Sequence, residues 1–172
     1  MKYFITYMDS RENSAKLAEE IWSALPAKER QMVYLPGARM DEEMLEQDVY
    51  FICFDYNRNV IPLEVMELIT NLEGKCFACF VTSGFSEADY IREKLEQELE
   101  AFLPDDGDFR GIFLCGGCFP ENIVKNAENV CKTDKDNKYA QFVLMNHEKT
   151  KNHPDAGDIT DLWDFLSQNM DL

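Results

Sequence analysis

The chain has 172 residues, enough for one domain with a sizeable core and too few for two ordinary ones. Its 17 Lys and Arg stand against 33 Asp and Glu, a formal net charge of -16. That field repels nucleic acid and anionic membrane surfaces and steers in basic protein partners. No apolar run approaches the ~20 residues of a membrane span, and Met1 leads straight into a strand-like stretch, so a cytoplasmic protein is expected.

In chain order, Lys2 to Met8 is a short β-favouring run. Polar Asp9 to Asn13 follows, and then a helical pattern in which Leu17, Ala18, Ile21, Trp22 and Leu25 form one apolar stripe closed by Pro26. Gln31 to Leu35 reads as a second strand. Asp48 to Phe54 is apolar nearly throughout, as expected of a central strand buried on both faces of a parallel sheet. After the loop Asp55 to Ile61, Pro62 fits the first turn of a helix whose Val65, Leu68, Ile69 and Leu72 face inward, with Gly74 as its stop. Cys76 to Val81 is the fourth strand. Ser86-Glu-Ala-Asp89 has the form of a capping box opening a helix with Ile91, Leu95, Leu99 and Phe102 on its inner face. Phe109 to Cys115 is the fifth strand, and helices are expected at about Pro120 to Cys131, Tyr139 to Lys149 and Asp158 to Asn169, the last with Trp163 in its core stripe. Strands alternating with helices predict a doubly wound α/β fold with helices on both faces of the sheet. Nothing reads as a linker, so residues 1–172 are taken as one domain with a helical C-terminal extension.

Six cysteines suit a reducing compartment. Cys76-Phe-Ala-Cys79 lies in a strand, where three residues of rise separate the two Cα atoms by about 10 Å, beyond disulfide reach. Both are expected as core filler, on opposite faces. Cys115-Gly-Gly-Cys118 could fold back on its glycines; two unreactive thiols near a strand end are the expectation. His147 and His153 lack the i, i+4 metal spacing and read as surface or capping residues.

Ligands of open parallel sheets sit at the carboxyl ends of the strands, which selects the loops Asp9 to Ser14, Asp55 to Asn59 and Thr82 to Glu87. The opening strand running into an Ala-Lys-Leu-Ala-Glu-Glu-Ile helix, then Asp48-Val-Tyr-Phe-Ile-Cys-Phe54, resembles the flavodoxin superfamily. Asn71-Leu-Glu-Gly-Lys-Cys-Phe-Ala-Cys-Phe-Val-Thr-Ser-Gly84 and His153-Pro-Asp155 resemble its short flavodoxin-domain branch from anaerobic bacteria. The resemblance implies five parallel strands in the order 2-1-3-4-5 and an electron carrier that binds FMN noncovalently. It also implies a first loop of the form Ser/Thr-x-Thr-Gly-Asn-Thr around the phosphate, at a helix N-terminus.

Here that loop is Asp9-Ser10-Arg11-Glu12-Asn13-Ser14, with Asp9 for the first hydroxyl residue, Arg11 for the central Thr and Glu12 for the Gly. A carboxylate about 5 Å from a phosphate charge opposes binding by roughly 3 kcal/mol per unit charge at an effective dielectric of ~20. Arg11 could offset one such term. The resemblance places Tyr56 and Phe85 at ring-stacking positions, with Phe119 shortly after the fifth strand. Asp55, Asn57, Thr82, Ser83 and Gly84 lie in the same loops and could serve the flavin edge. An acidic rim would meet a basic redox partner. Two alternatives stand beside the FMN carrier: a flavin-free binding or regulatory module, and a receiver-type phospho-acceptor at Asp55. No nucleophile, base and oxyanion-donor set can be assembled, which points to electron transfer or binding rather than a stand-alone enzyme.

Overall fold

The computed structural model describes residues 1–9, 13–170 and 172. Five strands, β1 (Tyr3–Tyr7), β2 (Arg30–Tyr34), β3 (Val49–Asp55), β4 (Cys76–Ser83) and β5 (Asp108–Gly116), pair in parallel in the order β2-β1-β3-β4-β5. The strands follow from their apolar runs. β3 is buried from Val49 through Phe54, and its side chains alternate between two cores. Tyr50, Ile52 and Phe54 join Phe77, Cys79 and Val81 of β4 in one; Phe51 and Cys53 join Ala78 and Phe80 in the other. Cys76 and Cys79 accordingly point to opposite faces.

The helices α1 (Asn13–Ala24) and α7 (Ala156–Asn169) cover the second core through Leu17, Ala18 and Ile21 and through Leu162 and Leu166. The first core lies under α3 (Leu63–Thr70), α4 (Ile91–Glu100) and α6 (Lys138–Thr150), with α5 (Glu121–Thr133) packed on α6. A short α2 (Glu42–Leu45), capped by Asp41 accepting the Met44 N–H at 3.0 Å, lies between β2 and β3; four residues are too few to show a period in sequence. In β5, Gly111 takes φ +106° beside the register shift between Phe77 and Cys79, a conformation that a side chain would strain. Among the described residues no helix is long and apolar enough to cross a membrane.

Three expectations change. Ser86-Glu-Ala-Asp89 is not a capping box: turns closed by Ala88 N–H to Phe85 and Ile91 N–H to Ala88 carry the chain to α4, whose N-cap, Tyr90, makes no side-chain cap bond. Phe85 is drawn inward, and the chain must turn after it before a helix can start. The capping box of this protein stands instead at Asp155 and Asp158, opening α7. Trp163 is not core but 40% exposed, because Leu162 and Leu166 occupy the inward stripe and the next residue turns ~100° away. Trp22 is only half-buried and carries the Arg30 guanidinium 4.1 Å from its ring centroid.

Thr6, fully buried in β1, has no hydrogen-bond partner for its Oγ1. Thr6→Val, which keeps the shape and removes the unmade hydrogen bond, should raise the unfolding free energy by about 1 kcal/mol in urea denaturation.

Candidate functional site

The parallel strands end at one edge of the sheet, and the three loops singled out by sequence meet there. Asp9 and Ser14 face each other across the turn from β1 to α1. The Asp9 Oδ2 accepts the Ser14 N–H at 2.8 Å and the Ser14 hydroxyl at 2.7 Å; the Ser14 Oγ in turn accepts the N–H groups of Met8 and Asp9, both at 3.3 Å. A first-turn N–H of α1 is thus satisfied by a carboxylate of the chain itself, at the positive end of the helix. Ser10, Arg11 and Glu12, three of the loop positions expected to surround a phosphate, lie outside the described residues.

Asn13 is buried and works as a latch rather than a helix cap. Its Nδ2 donates to Asp55 at 3.2 Å and to the Cys118 carbonyl at 2.9 Å, and its Oδ1 accepts the Cys118 N–H at 3.0 Å. Asp55, the last residue of β3, is the hub. Thr82 Oγ1 donates to its Oδ1 at 2.7 Å, and Asn57 Nδ2 to its Oδ2 at 3.1 Å. Three strand ends, those of β1, β3 and β4, are thereby tied through one carboxyl group, and Asn13 carries the link on to Cys118 after β5. Burial pushes the Asp55 carboxyl up to about 7, and the nearby Asp9 charge adds to this, against the hydrogen bonds of Thr82, Asn13 and Asn57.

The aromatic residues expected as ring walls are elsewhere engaged. Tyr56 is fully buried, its hydroxyl donating to Glu98 Oε2 at 2.6 Å. Phe85 is 1% exposed, edge-to-face with Phe119 (centroids 4.8 Å) and stacked on Phe142 of α6 (5.3 Å, 10° between planes). Gly84 donates its N–H to Asn57 Oδ1 at 2.6 Å, and the Phe119 ring fills the space that a Cβ there would need. Ser83 Oγ accepts the Phe85 N–H at 3.0 Å, and the Gly84 carbonyl accepts from Thr150 of α6 at 3.4 Å. The helical extension covers the third loop and with it Phe85, and Tyr56 is buried with its hydroxyl held by Glu98 of α4, so neither ring offers a face to a ligand. This corrects the reading of both as stacking positions.

Of the thirteen residues predicted for the site, Asp9, Asp55 and Asn57 line a cleft of about 680 Å³, within the ~300–1,000 Å³ usual for ligand pockets. Among the described residues its other walls come from Met8, from Arg58, Val60, Pro62 and Glu64 around the start of α3, and from Pro120, Asn122 and Ile123 at the start of α5. Sequence reasoning missed Arg58, Glu98 and the Pro120 to Ile123 wall. Only their closeness to strands β3 and β5 could have signalled two of these three, and nothing in sequence ties Glu98 to Tyr56.

Burial pushes the Cys115 thiol up, and Cys118 Sγ lies 3.3 Å from Asn13 Oδ1. His153 Nδ1 lies 2.6 Å from Asp158 Oδ2, and one ligand atom each of His153, Asp155 and Asp158 falls within 4.8 Å of the others. Both carboxylates there already form the capping box of α7.

Asp55 also sets a pH dependence. Its folded-state value is raised above its unfolded one, so the native chain holds an extra proton between them and stability falls as pH rises from about 4 to about 7. The stability difference between wild type and Asp55→Asn should therefore shift in favour of the variant across that window, by up to roughly 4 kcal/mol. Urea midpoints at pH 4.5, 6 and 8 check this; a difference constant with pH would remove the buried titration.

A family model described as Flavodoxin domain matches residues 4–167. The flavodoxin-like domain-containing protein BilS of Clostridioides difficile (strain CD3) is 24% identical over 172 residues, covering 99% of this chain and 97% of that protein. Two solved structures share the fold. A flavodoxin of Streptococcus pneumoniae TIGR4 matches with TM-score 0.53 and 13% identity, over 71% of this chain and 89% of its own. A short-chain flavodoxin associated with a non-canonical PDU bacterial microcompartment matches with TM-score 0.51 and 16% identity, over 77% and 99%.

Proposed function

The chain belongs to the flavodoxin domain family, and from that premise we propose that it is a flavodoxin-fold binding module that does not anchor FMN by its phosphate. The observation that carries the reading is the Asp9 carboxylate on the Ser14 N–H and hydroxyl. Those are donors of the kind a phosphate would use at a helix N-terminus. FMN, the usual cofactor of the family, does not fit the described residues: a second anion is repelled by Asp9, and the Tyr56 and Phe85 rings are packed inside the protein. The excess of carboxylates favours docking with a basic protein partner, through long-range attraction that salt would weaken.

The second reading, an FMN-binding electron carrier, is favoured by the place and volume of the cleft beside Asp9 and Asp55. It requires Asp9 to leave Ser14. The two readings separate by equilibrating the protein with excess FMN and passing it through gel filtration. The binding-module reading expects no visible flavin absorbance in the protein peak; stoichiometric flavin there would establish the carrier.

A further inference from the structure

The α5–α6 hairpin differs in charge from the rest of the chain. Residues 121–151 hold six Lys against five Asp and Glu, while the whole chain carries -16, so the hairpin is close to neutral and the excess of carboxylates lies elsewhere. Two copies of so acidic a chain repel one another least where their hairpins meet. Within the hairpin, α5 packs on α6 with Ala127 buried, while Ile123 and Val130 stay half-buried. A groove of about 440 Å³ lies between the two helices, walled by Ile123, Ala127, Val130, Ala140 and Val143, and Tyr139 beside it is 66% exposed.

The order of residues along α5 decides what can cover this surface. Glu121, Lys125, Glu128 and Lys132, all exposed, are spaced four, three and four apart, which sets them on one stripe with alternating signs. Asn122, Asn126 and Asn129 form the neighbouring stripe, and Ile123 and Val130 lie beyond them on the side of the groove. The helix is complementary to itself when turned end for end about a point between Asn126 and Ala127: Glu121 then meets Lys132, Lys125 meets Glu128 and Ile123 meets Val130. A parallel alignment would set each charge against its like.

We propose that α5 is a homodimerisation surface, pairing antiparallel with α5 of a second copy about a two-fold axis between Asn126 and Ala127. Such an axis, perpendicular to both helices, keeps each flank against the same flank of the copy, so charged stripe meets charged stripe and apolar side meets apolar side. The Asn126 amides stand beside the axis, where a group that both donates and accepts can pair with its own copy. Ile123, Val130 and the edge of Tyr139 lose water on pairing. Within one chain Lys125 Nζ lies 2.6 Å from Glu121, with side chains 65% and 81% exposed; so open a pair contributes little, and exchanging it for one with the facing copy costs little.

Sedimentation of the intact chain, with reductant and at about 0.15 M salt, where the Debye length is about 8 Å, should show a reversible monomer–dimer equilibrium. Lys125→Glu with Lys132→Glu makes the stripe wholly acidic, and Glu121→Lys with Glu128→Lys makes it wholly basic. Each double variant alone should dimerise about tenfold or more weakly than wild type, because every ion pair of the interface turns repulsive. Mixed one to one, the two should form a heterodimer at least as readily as wild type self-associates. Asn126→Cys gives an independent reading: mild oxidation should link its chains into dimers under conditions that leave wild type unlinked. A wild type that stays monomeric up to about a millimolar, a dimer that neither reversal weakens, or folded variants that remain monomeric when mixed would overturn the proposal. If a charge variant fails to fold, the Asn126→Cys cross-link decides alone, and its absence overturns the proposal too.

Discussion

Replacing Phe85 by alanine is expected to lower the unfolding free energy by about 3–5 kcal/mol, the range for emptying a buried aromatic site. The ring is 1% exposed and wedged between Phe119 and Phe142, and its loss would also loosen α6 from the edge of the sheet. A ring standing free at the wall of a cofactor site would give a different result, with little effect on stability and a large one on ligand affinity. Urea denaturation of the ligand-free protein distinguishes them: a change below about 1 kcal/mol would mean that Phe85 is not packed as described.

The second large effect is a gain. Asp9→Thr removes the carboxylate at Ser14 and restores a hydroxyl residue where the family pattern has one. At an effective dielectric of ~20, a charge about 5 Å from a phosphate is worth roughly 3 kcal/mol, so FMN affinity should rise about a hundredfold over wild type. Stability should fall by about 0.5–2 kcal/mol, since the helix end loses the carboxylate oxygen that holds its N–H. Parallel titrations of wild type and variant with FMN read the gain. An unchanged affinity would move the cause of exclusion from Asp9 to the covered rings of Tyr56 and Phe85.

Much of the fold was legible because β3 and β4 are apolar on both faces and the helices between them carry clear stripes, so a doubly wound parallel sheet was expected from the pattern, while the strand order came from the family resemblance. Trp163 misled because a large apolar residue beside Leu162 looks like part of the same stripe, although one step along a helix turns it to the surface. The site was less legible. Tyr56 and Phe85 stand at the right places in sequence, directly after strand ends, but place along the chain does not fix which way a side chain points. Their direction is decided by Glu98 on α4 and Phe142 on α6, partners that local pattern cannot supply. Asp55 was visible as a strand-end acid; its hydrogen bonds to Asn13, Asn57 and Thr82 and its raised titration, caused by burial and then by the Asp9 charge, depend on long-range packing that local pattern cannot supply.

The most direct test is a fluorescence titration of FMN with the wild-type chain at pH 7.5 or so, a little above the titration of Asp55. Fluorescence unchanged up to high micromolar protein is the result expected of a cleft whose anion site is filled by Asp9. Saturable quenching with a dissociation constant of about a micromolar or below, near -8 kcal/mol, would contradict it and make this chain an FMN-binding protein.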